Sequence, residues 1–359
     1  MSDGVDWELA KKVAVKIANR DQGSGTWYYD AMRREFDELT AKAEVLVADE
    51  TGLVSAAGPA RARVADRPMW IDANIASFQR LMRPIIEALG DESKSNAPLA
   101  KLTESVGAVQ VGSVLGWMST RVLGQYDLLL TEDEDPDEQD IVYYVGPNVL
   151  ALEQRNNFDA RQFRLWLALH ETTHRAQFTG VPWLRDHFVS LVNQTLDSVD
   201  PDPKRMLDAA RTVVEARRRG EDAMADGGLP ALLASPEQRE VLDQIMGMMS
   251  LLEGHGDVTM DRAGVDEVPG AAHFSSVLSA RRNSSKGVAK LMQRLLGIEA
   301  KINQYAAGER FIDAVEAEGG QDLLNVAWTS ADHLPSMDEI KNPELWIARN
   351  QPELDSIAG

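Results

Sequence analysis

His170 and His174 stand four residues apart with Glu171 directly after the first, at the end of the run Leu165-Trp166-Leu167-Ala168-Leu169. Residues four apart on a helix project from the same face, so both imidazoles can reach one ion. Zinc accepts neutral imidazole nitrogens well. A glutamate beside the first ligand can reach a water held in the open coordination position. The metal lowers the pKa of that water, and the carboxylate can take its proton and later hand it to a leaving group. Histidine is scarce here, with six in the chain, which gives this H-E-x-x-H spacing weight. The preceding apolar run argues for burial, and two imidazoles and a carboxylate buried with no cation would be costly. The chain has no cysteine, so disulfides and thiolate sites are excluded and any metal is held by His, Asp or Glu.

A catalytic zinc usually takes a third protein ligand. The segment Leu252-Glu253-Gly254-His255-Gly256-Asp257 offers it. Glu253 and Asp257 share a helical face, so Glu253 can ligate while Asp257 accepts a hydrogen bond from the far nitrogen of a liganding histidine. His255, two residues on, faces roughly the opposite side and can replace Glu253 but not join it. Glu253 is favoured. Gly254 and Gly256 weaken a helix by roughly 1 kcal/mol each against Ala, which makes sense where another helix approaches closely. A donor to the attacked carbonyl oxygen is also expected. Tyr143, Tyr144, His273, Arg281, Tyr305 and His333 all qualify, and the sequence selects none of them. His187 reads as a surface residue.

Helical periodicity dominates the elements that must position these residues. Helices are expected over residues 6–20, 30–50 and from Pro68 onward. A buried helix is expected over 105–124, closing at Gly124, where Gly112 and Gly116 predict close packing against a second helix. An acidic loop of Glu132, Asp133, Glu134, Asp135, Asp137, Glu138 and Asp140 follows. It lacks the spacing and central Gly of a calcium loop and reads as solvated. Ile141-Val142-Tyr143-Tyr144-Val145 is the best strand, ended by Gly146-Pro147. Asp159 and Gln162 make a capping box for the histidine helix, as do Ser235 and Gln238 for a helix running toward residue 257. Two more helices are expected at about 284–296 and 299–318, stopped by Gly319-Gly320. The tail with Pro335, Pro343 and Trp346 reads as an irregular strap.

The formal net charge is −20, from 37 basic and 57 acidic residues. Phosphate repulsion excludes a general nucleic-acid binder, and Arg217, Arg218 and Arg219 read as a solvated helix end. The apolar stretch from Ser105 to Thr120 is shorter than the roughly 20 residues of a membrane span, so no membrane partner is expected. The acidic N-terminus is unlike a secretion signal, and a cytoplasmic location is expected.

The runs Leu167 to Arg175, Leu252 to His255, Leu295 to Tyr305 with Gly308-Glu309, Arg121 to Asp127 and Tyr144 to Asn148 resemble the zincin-like hydrolases of actinobacteria and their relatives. Some of those carry a label of association with the biosynthesis of a deazaflavin coenzyme. The resemblance spans about Trp70 to Trp346. It implies a mainly helical zincin-like metallopeptidase fold with a small sheet beside the metal-binding helix, His170 and His174 as ligands and Glu171 as the catalytic residue. It implies no substrate. A narrower likeness to gluzincins rests on Glu253 with Asp257 four later, although the interval from His174 to Glu253 is long for that group. A zincin usually has a strand beside its metal helix that can pair with an extended substrate, and residues 141–145 are expected to be that strand.

The expectation is thus a zinc-dependent hydrolase acting on a peptide or amide substrate. The alternative is a non-catalytic metal-containing helical binding or scaffold protein, against which the intact Glu171 argues, since a structural site needs no general base. Three regions are expected, 1–130, 131–275 and 276–359, integrated around one cleft. Oligomeric state is open.

Overall fold

The computed structural model describes residues 5–18, 26–90, 97–126, 140–197, 235–283 and 298–358. The chain divides into two compact units, Met1–Gly180 with Met260–Phe274, and Val181–Thr259 with Ser275–Gly359.

The first unit contains α1 (Trp7–Ala18), α2 (Thr26–Thr51), β1 (Arg61–Ala65), α3 (Arg67–Gly90), α4 (Ala97–Ser119), β2 (Gly124–Tyr126), β3 (Ile141–Val145), α5 (Gly146–Asn156) and α6 (Ala160–Gly180). α1 and α4 pack at backbone distance. A Cβ on Gly112 would lie 2.3 Å from the Ala10 carbonyl oxygen, and one on Gly116 would lie 2.7 Å from that of Ala14. The small-residue spacing therefore serves helix contact, as expected. α4 is not a buried helix, however. Ala108, Gly112, Leu115, Gly116 and Ser119 face inward, while Val106 and Val109 are exposed, the pattern of a helix with one covered face. It also ends at Ser119, so Gly124 does not close it but opens β2.

The sheet has the order β1-β3-β2. β1 runs parallel to β3, pairing Arg61 with Ile141 through Ala65 with Val145. β2 runs antiparallel to it, pairing Gly124 with Tyr144. The expected strand 141–145 therefore exists, but it is central and has no open edge for a substrate. Its unbroken apolar run, buried at every position, is the signature of a strand covered on both sides. β2 occupies the edge and packs against α6. Asn148 secures the approach to it, donating from Nδ2 to the carbonyls of Ser119 (2.8 Å) and Val122 (2.6 Å) and accepting from Arg67 Nε (3.0 Å). The Val145 N–H donates to the Leu123 carbonyl at 2.8 Å. Gln125 Oε1 accepts from Trp70 Nε1 at 2.8 Å.

The second unit contains α7 (Leu184–Asp197), most of α8 (Pro236–Ala263) and of α9 (Ala271–Asn283), α10 (Ile298–Asn325), α11 (Met337–Lys341) and α12 (Pro343–Ala358). Its core gathers Leu251, Phe311, Val315, Leu323 and Trp346. The Ser235 capping box forms in both directions, with Gln238 N–H to Ser235 Oγ at 3.1 Å and Ser235 N–H to Gln238 Oε1 at 2.6 Å. The C-terminal tail is not an irregular strap. Pro343 begins α12, where its missing N–H leaves no bond unmade, and Trp346 is fully buried with Nε1 donating to the His333 carbonyl at 2.7 Å. Gly320 breaks α10 with φ 68°, as its glycine pair predicted. The acidic loop before Asp140, Arg217 to Arg219 and the helix expected at 284–296 lie outside the described residues. Among the described residues, no helix is long and apolar enough to cross a membrane.

Candidate metal centre

α6 positions the histidine pair. Asp159 caps it, its Oδ1 accepting from the Gln162 N–H at 2.9 Å. The Gln162 side chain does not complete a capping box. Its Oε1 accepts from the Gly270 N–H at 2.9 Å. Phe163, Leu165, Trp166, Leu167, Ala168 and Leu169 are all buried, so the helix is enclosed nearly all round and its polar residues are placed by the core. Ionic contacts fix it further. Arg164 binds both oxygens of Glu153 at 2.8 Å and also pairs with Glu35 on α2. Burial raises the pKa of Glu153, and Arg164 opposes that rise. Arg175, which is fully buried, donates to Asp140 (3.0 and 2.6 Å), Glu44 (2.5 Å) and the Gly58 carbonyl (2.7 Å).

His170 and His174 turn toward each other. Their Nε2 atoms are 3.2 Å apart and their rings lie at 85°. His174 Nδ1 meets Gln177 Oε1 at 3.0 Å. An amide oxygen only accepts, so Nδ1 carries the proton and the lone pair sits on Nε2, the atom facing His170. Two imidazole nitrogens on one tetrahedral zinc, each at about 2.0–2.1 Å, stand roughly 3.3–3.4 Å apart. The observed spacing matches, so the residues present fit a divalent cation.

Glu171 is buried and packs under β2. A Cβ on Gly124 would lie 2.5 Å from Glu171 Oε1, 2.6 Å from Cγ and 2.8 Å from Cδ. The carboxylate therefore fills the place where a side chain of β2 would be. Below it sits Tyr144, stacked on Phe36 with ring centroids 3.9 Å apart, its hydroxyl 2.8 Å from Thr40 Oγ1. Burial raises the Tyr144 pKa, and the charge of Glu171 adds to the effect.

Glu253 lies in the second unit on α8, buried. Gly254 beside it touches backbone, since a Cβ there would lie 2.4 Å from the Gly308 carbonyl carbon. The close helix approach expected of this glycine is present. His255 sets its ring edge-on to Trp328, with centroids 5.1 Å apart, and Asp257 is half-buried. His187 is not a plain surface residue. It is half-buried against Trp183, and burial lowers its pKa while Asp332 opposes the shift. Among the carbonyl-oxygen donors considered, Tyr143 and Tyr144 point to opposite faces of β3, as strand alternation requires. Tyr143 joins the core of α1, α3 and α4 and takes Arg63 over its ring. His273 packs edge-on to Phe158, and His333 Nδ1 meets Asn350 Oδ1 at 2.5 Å. The side chains of Arg281 and Tyr305 lie outside the described residues.

Three contributors escape sequence reasoning. Gln177 stands three residues after His174 on the same face, a spacing that could have pointed to it. Arg175 and Gly124 carried no local signal, because their partners come from distant segments.

The sequence matches the model of the zincin-like metallopeptidase family over residues 5–347. A crystal structure from Chloroflexus aurantiacus, described as a candidate hydrolase with a novel fold, is similar at a TM-score of 0.70 and 30% identity. The match covers 96% of this chain and 98% of that one. No curated protein matches.

Proposed function

Because the chain belongs to the zincin-like metallopeptidase family, we propose that it is a zinc-dependent hydrolase of peptide or amide bonds in which Glu171 moves the proton. His170 and His174 would hold the zinc through Nε2, and Glu253 would supply the third ligand. That donor set of two imidazoles and one carboxylate suits a catalytic zinc, which keeps a further position open. When bound, zinc would polarise the scissile carbonyl and acidify a water.

The protein's own groups supply the rest. Gln177 holds the His174 ring by its Nδ1 proton and so keeps its basic nitrogen turned toward His170. Glu171 accepts the proton of the attacking water and returns it to the departing amine. The observation that carries this reading is the 3.2 Å separation of the two Nε2 atoms on the helix that also bears Glu171.

Metal analysis paired with cleavage of an unbiased peptide library tests it. The wild type should carry zinc. His170→Ala and His174→Ala should lose it and melt lower, because ligand binding stabilises the folded state alone. Glu171→Gln should keep its zinc while turnover falls by roughly 10²–10⁴. Unchanged zinc in His170→Ala would remove that residue from the ligand set. Full activity in Glu171→Gln would remove the proton-transfer role, and zinc without cleavage in the wild type would favour a non-catalytic metal protein.

A further inference from the structure

We infer that Gly124 is a positioning residue for Glu171, an inference that rests on the proton-transfer role proposed above. The requirement at 124 is for space, not for an unusual backbone, since Gly124 is a paired strand residue opposite Tyr144. Any side chain there overlaps the Glu171 carboxyl, with contacts of 2.5 to 2.8 Å to Oε1, Cγ and Cδ. Real carbon atoms do not approach so closely, so something must move.

Three things could yield: the backbone of β2, the backbone of α6, and the Glu171 side chain. β2 is pinned from several directions, by the Val145 N–H on the Leu123 carbonyl, by Asn148 on the carbonyls of Ser119 and Val122, and by Trp70 on Gln125. α6 is enclosed by core and fixed by Arg164 and Arg175. The Glu171 side chain can turn by rotation about its own bonds, and because Cγ as well as Oε1 meets the new methyl, the turn is about Cα–Cβ and carries the whole carboxyl with it. A methyl at 124 would therefore be absorbed by the carboxylate, leaving the fold and the histidine pair in place. General acid–base chemistry is sensitive to such a displacement, because the carboxylate must stand within hydrogen-bond reach of the proton it takes.

Gly124→Ala tests this in two backgrounds. The variant should keep wild-type zinc. Its melting temperature should fall in the Glu171 protein and fall less in the Glu171→Ala background, where the overlapping carboxyl is gone. Turnover on a peptide found in the library screen should drop by roughly 100-fold, with KM within about threefold of wild type. Equal melting shifts in the two backgrounds, or turnover equal to wild type, would overturn the assignment. A zinc-loaded wild type that cleaves nothing would refute the hydrolase reading instead, and the melting comparison would still report whether Gly124 sets the place of the carboxylate.

Discussion

α6 and α8 each carry a buried glutamate next to or near a histidine, Glu171 beside His170 and Glu253 near His255, yet the two helices are held by opposite means. α6 is fixed by long side chains that reach outward. Arg164 spans to Glu153 and Glu35, and Arg175 to Asp140, Glu44 and Gly58. α8 is fixed by side chains that are missing. Gly247 touches the backbone of Pro335 and Ser336, and Gly254 that of Gly308 and Glu309. A helix held by ion pairs should be sensitive to the loss of charge. One held by backbone contact should be sensitive to the addition of a methyl group.

The largest expected effect comes from Arg175→Met. It keeps much of the side-chain volume but leaves Asp140, which is buried, and Glu44 without their shared cation. Breaking a buried pair from one side costs about 3–5 kcal/mol, to be read as a shift in the urea midpoint. Adding Asp140→Asn should recover part of that loss, since it removes one stranded charge. If the single variant lost less than about 1 kcal/mol, the ionic account of α6 would fail.

Gly254→Ala probes the other side of the comparison. The new Cβ would meet the Gly308 carbonyl carbon at 2.4 Å and the Glu309 nitrogen at 2.7 Å, and backbone cannot turn aside as a side chain can. Overpacking of this kind costs about 1–3 kcal/mol, partly offset by the better helix propensity of alanine. Gly107→Ala supplies the contrast. Its nearest neighbour, Val5 Cγ2, is 3.9 Å away, so only the propensity term acts, and stability should rise by up to about 1 kcal/mol. Similar shifts at both positions would mean that close approach does not set α8.

This contrast also explains what could be read from the sequence. His170, Glu171 and His174 form a pattern within one helical turn, so local spacing makes them visible. Gly254 announced a close neighbour, though not which one. Arg175 gave no sign of its role, because Glu44 and Asp140 lie on other elements. Gly124 read as a helix terminus, since its true partner, the Glu171 carboxyl, meets it only in the folded chain. β1 was not anticipated, because Arg61-Ala62-Arg63 interrupts the β-branched composition that marks a strand. β3 was recognised but expected to pair with an extended substrate, whereas it pairs with β1 and β2. Its unbroken apolar run pointed to cover on both sides. The prolines of the tail read as breakers, whereas Pro343 starts a helix.

The smallest expected effect lies at the end of the second unit, where an ion pair is only half enclosed. Ser336 and Glu339 form a capping box on α11, and Arg349 donates to Glu339 Oε1 at 2.7 Å. Burial pushes the Glu339 pKa up, but the hydrogen bonds from Arg349 and Ser336 outweigh it and hold the carboxyl below its ordinary value of 4.5. A carboxyl depressed in the folded state adds stability that is complete above the unfolded pKa and disappears as pH falls through the folded one. Glu339→Gln should therefore cost about 0.2–1 kcal/mol at pH 7, the range for a half-exposed pair, and its curve should converge on wild type below pH 4.5. A loss that persists unchanged into acid would show that the glutamate acts through packing.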